Sequence, residues 1–245
     1  MNINEIKDIV SHTRSFFDTV KVYNDGGKTR ICALNDERTI IFNGTLKNYH
    51  SVLDNGAVGI NRMGILHGML SYTGFNDSGS NFEAIVENKS GKDQLSELKL
   101  TSSNGTTSTY RFMGTQVVES KVKMPPFKGA SADVTFLPTL KMISELSHFS
   151  NVLGGNDCKF LASTNRGKLE FHIGSTGNDR ASITICDTHG TLKHSKYWNL
   201  AKFISILKLN DGGICSVTLS NQGLITIEME SDYCFYQYQM PSTKN

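Results

Sequence analysis

The chain has 245 residues, 38% hydrophobic and 20% charged, with a formal net charge of +2. That composition supports a packed core, excludes disorder as the main state, and is too nearly neutral for a protein that grips nucleic acid by bulk charge. No apolar run approaches the ~20 residues that span a bilayer. The opening MNINEIKDIVSHTRSFF carries acidic groups where a secretory leader needs an unbroken apolar stretch, so the expectation is a cytoplasmic protein without membrane association.

Apolar residues at helical spacing predict a first helix over 4–17, where Ile6, Ile9, Val10, Thr13, Phe16 and Phe17 share a face. The next stretch, TVKVYNDGGKTRICALNDERTIIFNG, alternates and reads as three strands joined by Asp-Gly-Gly and Asn-Asp turns. A second helix follows over 62–72, with Ile65, Leu66, Met69 and Leu70. The segment VVESKVKMPPFKGAS then predicts an extended connector, because adjacent Pro125 and Pro126 stiffen the chain. Pro138 suits the first turn of a third helix over 139–153, with Leu140, Ile143, Leu146 and Phe149. CKFLASTNRGKLEFHIGSTGNDRASITIC reads as three strands, with turns at Asn165-Arg166-Gly167 and Gly177-Asn178-Asp179. Asn199 suits the cap of a fourth helix over 199–208, with Leu200, Phe203, Ile204 and Leu207. VTLSNQGLITIEMESDYCFYQYQM ends the chain as a meander turning at Asn221-Gln222-Gly223 and Ser231-Asp232.

The order of elements repeats. In each half a helix leads into strands, then a second helix ~58 residues on, then more strands, and the layout recurs at an offset of ~130 residues. The expected fold class is α+β, built as two similar helix–strands–helix–strands halves. The expected division is 1–116, a connector over 117–130, and 131–245.

Signatures of catalysis are missing. Gly27-Lys28-Thr29 resembles the end of a phosphate-binding loop, but the glycine required five residues earlier is Val22, and the segment leads into a strand rather than a helix. His189 and His194 bracket a loop near Asp187 without metal-ligand spacing. Glu228 and Glu230 alternate onto one strand face, as solvent-facing residues do. The five cysteines are odd in number, form no CxxC pair and sit among β-type residues, so buried free thiols in a reducing compartment are expected. The reading is a protein that binds rather than catalyses, without cofactor or metal.

Charge is unevenly spread. The four helices carry Lys7, Arg14, Arg62, Lys141, Lys202 and Lys208 against Glu5, Asp8 and Glu145, whereas the rest of the chain is slightly acidic. Alone, this describes ordinary solvated helix faces.

Two repeated halves joined by an extended connector resemble the DNA sliding clamp family, the phage clamps of the T-even type being the nearest match. GILHGMLSYTGFNDSGSNFEAIV, the crossing TSTYRFMG…KVKMPPFKGASADVTFLPTLKMISELSHFS, the hairpin CKFLASTNRGKLEFHIGSTGN and the terminal FYQYQMPSTK carry the resemblance, MPPFKG being the most specific piece. It implies helices on one face and sheets on the other, and a homotrimeric ring around double-stranded DNA held by topology. Lys7, Arg14, Arg62, Lys141, Lys202 and Lys208 would face the DNA without reading bases. It also implies an ATP-dependent clamp loader and a replicative DNA polymerase as partners, the latter docking near Val122, Met124, Phe127, Tyr238 and Met240. Clamps are commonly strongly acidic, and this chain departs from that pattern. Two other classes stay open: a strand-rich oligomeric virion or tail protein, which needs no basic bias on its helices, and an enzyme, which needs a pocket of convergent titratable groups.

Overall fold

Helix α1 (Ile3–Thr13) starts where Asn2 and Glu5 close a reciprocal cap. Asn2 Oδ1 accepts from the Glu5 amide at 2.9 Å, and Glu5 Oε2 accepts from the Asn2 amide at 2.8 Å. Such a cap stabilises a helix start by about 1 kcal/mol. The computed structural model describes residues 1–89, 91–126, 129–174, 179–193 and 196–243. Contacts divide the chain into two units, Met1–Pro125 with Ser231–Tyr236, and Pro126–Glu230 with Gln237–Asn245.

In the first unit α1 leads into β1 (Thr19–Asp25), β2 (Lys28–Leu34), β3 (Ile41–Leu46) and β4 (Val58–Asn61). They form antiparallel neighbours in the order β4-β1-β2-β3. The β1–β2 turn needs positive φ at both central residues, and Gly26 and Gly27 supply it at 59° and 73°. Helix α2 (Met63–Leu70) follows and packs on α1. Strands β5 (Asn81–Lys89), β6 (Lys92–Thr101) and β7 (Thr107–Arg111) make a three-stranded meander, followed by helix α3 (Thr115–Lys121).

The second unit repeats this order after a short β8 (Val134–Phe136). Helix α4 (Leu140–Leu153) leads into β9 (Lys159–Asn165), β10 (Lys168–Gly174), β11 (Arg180–Asp187) and β12 (Tyr197–Asn199), arranged β11-β10-β9-β12. Helix α5 (Leu200–Leu207) packs on α4, and β13 (Cys215–Ser220), β14 (Leu224–Glu230) and β15 (Cys234–Pro241) complete the chain. Helices start at Ile3 and Met63, then at Leu140 and Leu200, so their spacing is the same in both units. Pairing registers match as well: Val20 faces Ile60 across β1–β4, and Phe160 faces Trp198 across β9–β12. The fold is α+β, two helix–strands–helix–strands layouts, as the sequence pattern predicts.

Several local expectations need correction. Residues 117–121 of the expected connector are helical, as part of α3. Leu140 is 86% exposed, because α4 buries Met142, Leu146 and Ser150, a stripe that starts two residues later, on the opposite side of the helix. Ile65 likewise points to solvent while Met63, Leu66 and Leu70 fill the core. No helix among the described residues is long and apolar enough to cross a membrane.

Candidate nucleic-acid interface

Each long helix buries one stripe and leaves another exposed. On α1 the outward stripe is Asn4, Lys7, Ser11 and Arg14, at the three- and four-residue spacing that lines one helix face. On α4 it includes Lys141, Ser144 and His148; on α5 it runs through Lys202 and Ser205 to Lys208 at the C-cap. On α2 the outward residues are Gly64, Ile65 and Gly68, without charge. Small polar side chains and cations therefore alternate on these faces. Lys7 is half-buried, its Nζ donating to Asn76 Oδ1, and Lys141 stands 3.9 Å from Glu145.

The acidic residues of α1 are turned away from that stripe. Glu5 is fully buried; it accepts from the Asn2 amide and from Asn48 Nδ2 (2.8 Å), and His50 Nε2 stands 3.1 Å from its carboxylate. Asp8 Oδ2 accepts from Ser231 Oγ at 2.7 Å and Tyr236 OH at 2.6 Å, with His12 Nδ1 3.4 Å from its other oxygen. The His12 ring stacks on Tyr236 at 4.2 Å. Burial alone would raise both carboxyl pKa values. For Glu5 the bonds from Asn48 and the Asn2 amide, with nearby His50, outweigh it; for Asp8 the bonds from His12, Tyr236 and Ser231 do, so both groups lie below the usual carboxylate range. Burial, with the nearby amino terminus, lowers the pKa of His50. Among the acids of α1, α2, α4 and α5 only Glu145 remains near solvent, so the outward faces of these four helices are more one-sidedly basic than their residue count suggests. The pattern Asn2-x-x-Glu5 was readable as a cap, but its partners Asn48 and His50 were not.

Arg62 stands apart from the other five cations. It occupies the N-cap of α2 in a left-handed conformation, φ 48°. Its guanidinium lies 5.5 Å over the Tyr110 ring and donates to the Arg111 carbonyl at 3.1 Å. Though exposed, it pins α2 to β7 and sits at the helix start rather than along an outward stripe.

The expected partner residues differ in exposure. Val122 and Met124 are half-buried after α3, and Phe127 lies outside the described residues. Tyr238 is 0% exposed and Met240 2%, so both are core and present no surface to a partner. Strand alternation is the reason: Cys234, Tyr236, Tyr238 and Met240 share the buried face of β15, and Phe235 projects from the other. Phe235, which the sequence reading passed over, is 50% exposed with Lys47 Nζ 5.2 Å over its ring.

The cysteines are free; Cys32, Cys158, Cys215 and Cys234 are buried and Cys186 is partly so. Burial raises their pKa values, that of Cys215 to about 11. Among the described residues no group of three or more His, Cys, Asp or Glu side chains is placed to hold a metal ion.

No protein-family model matches the chain, and no curated protein does. Solved structures do. The A. fulgidus PCNA bound to the C-terminal region of FEN-1 is similar with a TM-score of 0.71 at 10% identity, covering 100% of this chain and 97% of that one. The proliferating cellular nuclear antigen of Entamoeba histolytica gives 0.68 at 12%, covering 99% and 96%. The PCNA2–PCNA3 complex of Sulfolobus tokodaii gives 0.67 at 12%, covering 99% and 97%. At such identities the likeness defines the fold, which is that of the PCNA-type sliding clamps.

Proposed function

We propose that this chain is a non-catalytic sliding clamp whose copies close into a homotrimeric ring around duplex DNA and tether the replicative polymerase. One observation carries the reading. On the outward helix faces the cations Lys7, Arg14, Lys141, Lys202 and Lys208 stand among small polar residues, while Glu5 and Asp8 are drawn inward. Such a face attracts phosphates without reading bases, and a modest positive excess permits movement along the duplex. The PCNA-type fold supports the reading, as do the partners of its neighbours, FEN-1 for one and a second PCNA for another.

Open edges favour a ring. The three-stranded sheet of the first unit ends in β5 and β7, and β11 ends a sheet of the second. Head-to-tail pairing of a first-unit edge with β11 of the next copy protects strands that would otherwise invite aggregation. Cytoplasmic location, opening by an ATP-dependent loader and kinship with phage clamps of the T-even type belong to the same proposal; the kinship rests on the sequence stretches around MPPFKG. The proposed partner surface keeps Val122, Met124 and Phe127, loses the buried Tyr238 and Met240, and adds the exposed Phe235.

The test couples mass to topology. The assembled protein should weigh three chains in solution and, once loaded, stay on circular DNA but run off linear DNA. Reversing the five outward cations to Glu should lower loading at least tenfold with the fold retained. A monomer, or equal retention on circular and linear DNA, defeats the clamp reading; undiminished loading by the reversed variant defeats the assignment of these residues.

A further inference from the structure

Helix α3 occupies a face of the first unit that the second unit fills differently. Across β1 and β4, Lys21 pairs with Gly59; at the matching register of β9 and β12, Leu161 pairs with Tyr197. Gly59 leaves room for a helix, since a Cβ there would stand 2.9 Å from Val118 Cγ2. Lys21 Nζ lies 3.6 Å from Glu119, and Thr115 Oγ1 donates to the Ala57 carbonyl at 2.7 Å. Both departures from the second unit thus serve the docking of α3.

The hold is slight. Helix α3 has 7 residues, and its N-cap, Gly114, offers no side-chain bond. Val118 is its one buried residue, and Val117 is half-exposed. Isolated helices below about 12–15 residues do not persist in water, so α3 exists only while docked.

We propose that α3 is a latch: it docks and undocks as a unit on the Lys21–Gly59 face, without unfolding of the sheet beneath. Seven residues span about 10 Å as helix and about 24 Å when extended, so release lengthens the tether of the segment holding Val122 and Met124. That consequence for partners rests on the docking surface proposed above; the latch itself does not.

Hydrogen exchange of the full chain reads the latch directly, independently of DNA or polymerase. The amides of Val118 and Val122, bonded to the Gly114 and Val118 carbonyls, should exchange at least about 100-fold faster than those of β1. Glu119→Lys, which sets two cations face to face, should speed α3 several-fold further and leave β1 and α1 unchanged. Adding Lys21→Glu should restore the parent rate. Exchange of α3 within about tenfold of β1, or a Glu119→Lys effect that spreads through β1, makes α3 a fixed part of the fold and overturns the proposal.

Discussion

The strand run β4-β1-β2-β3 and the sheet β12-β9-β10-β11 share order and the register of their β1–β2 and β9–β10 hairpins, yet they fill their interiors with different side chains. Where the first unit buries Val20, Ile31 and Ile60, the second buries Phe160, Phe171 and Trp198. Phe160 stands 4.7 Å from Phe171, 5.2 Å from Phe203 and 5.7 Å from Trp198, ring centre to ring centre. In the first unit the rings gather instead around Phe42 of β3, which Phe17 and Tyr236 from flanking segments meet at 5.4 and 5.7 Å. A repeated backbone therefore fixes which positions face inward but not the volumes that fill them. The opposite faces differ as well, one covered by α3 and the other carrying Leu161 and Tyr197.

The sharpest way to break this comparison is Trp198→Ala. Trp198 is fully buried, and its Nε1 donates to the Met240 carbonyl at 3.1 Å. Removing it should destabilise the chain by about 4 kcal/mol, whereas Ile60→Val at the matching register should cost about 1 kcal/mol. Urea unfolding followed by circular dichroism measures both. Equal costs would mean that the aromatic cluster is no more tightly packed than its aliphatic counterpart.

Acid should separate the leading helices. Helix α1 is tied by Glu5 and Asp8, while the acid of α4, Glu145, faces solvent beside Lys141. Carboxylates with depressed folded pKa values stabilise fully above their ordinary pKa, and that contribution is lost as pH falls through the folded values. His50, also depressed, takes up a proton less readily in the fold than when unfolded, so its contribution too is lost on acidification, beginning near its ordinary pKa. Asp8→Asn should cost about 2 kcal/mol at pH 7, the worth of charge-assisted bonds to Ser231 and Tyr236. Unfolding curves of parent and variant should converge toward pH 3. A gap independent of pH would mean that shape, not charge, holds α1.

A comparable effect is expected from moving one unit's residue into the other. Gly59→Tyr copies the second unit, and its side chain occupies the space of Val118. The loss should be about 1.5–3 kcal/mol, near the value of one buried valine, because α3 is displaced and Met113, whose Cβ stands equally close, shifts with it. The single tryptophan, Trp198, lies in the second unit, so its fluorescence should keep its native signature in this variant. A changed Trp198 signal would extend the role of Gly59 beyond α3.

Much of this architecture was legible because local periodicity and turn chemistry agree. Asp25-Gly26-Gly27 and Asn165-Arg166-Gly167 sit between alternating runs, and both made the predicted hairpins. Helix α3 was not legible: TQVVESK has no apolar period, and its stability comes from Lys21 and Gly59, remote in sequence. The basic helix faces were half-legible. Lys7 and Arg14 fall at helical spacing, but the inward turn of Asp8 depends on Ser231 and Tyr236 at the other end of the chain. Tyr238 and Met240 were misread as surface by residue type, although alternation from Tyr236 places them inside.

The least effect is expected where the second helices begin. Asn61 and Asn199 hold the same register, opposite Thr19 and Lys159. Asn199 caps α5 directly, its Oδ1 accepting from the Lys202 amide at 2.7 Å. In the first unit Arg62 intervenes, takes the N-cap position in a left-handed conformation and offers no side-chain cap bond. There Tyr110 substitutes: its hydroxyl donates to the Asn61 carbonyl at 2.6 Å and accepts from the Asn61 amide at 2.8 Å, both backbone groups. Asn199→Ala should therefore cost about 1 kcal/mol, the ordinary worth of a cap. Asn61→Ala leaves the backbone bonds to Tyr110 in place, loses only the longer 3.2 Å contact of the Tyr110 hydroxyl with Asn61 Oδ1, and should cost roughly a few tenths of a kcal/mol. Paired urea titrations resolve that difference. If Asn61→Ala proved as costly as Asn199→Ala, its side chain would act as a cap despite Arg62, and the two helix starts would be alike rather than differently built.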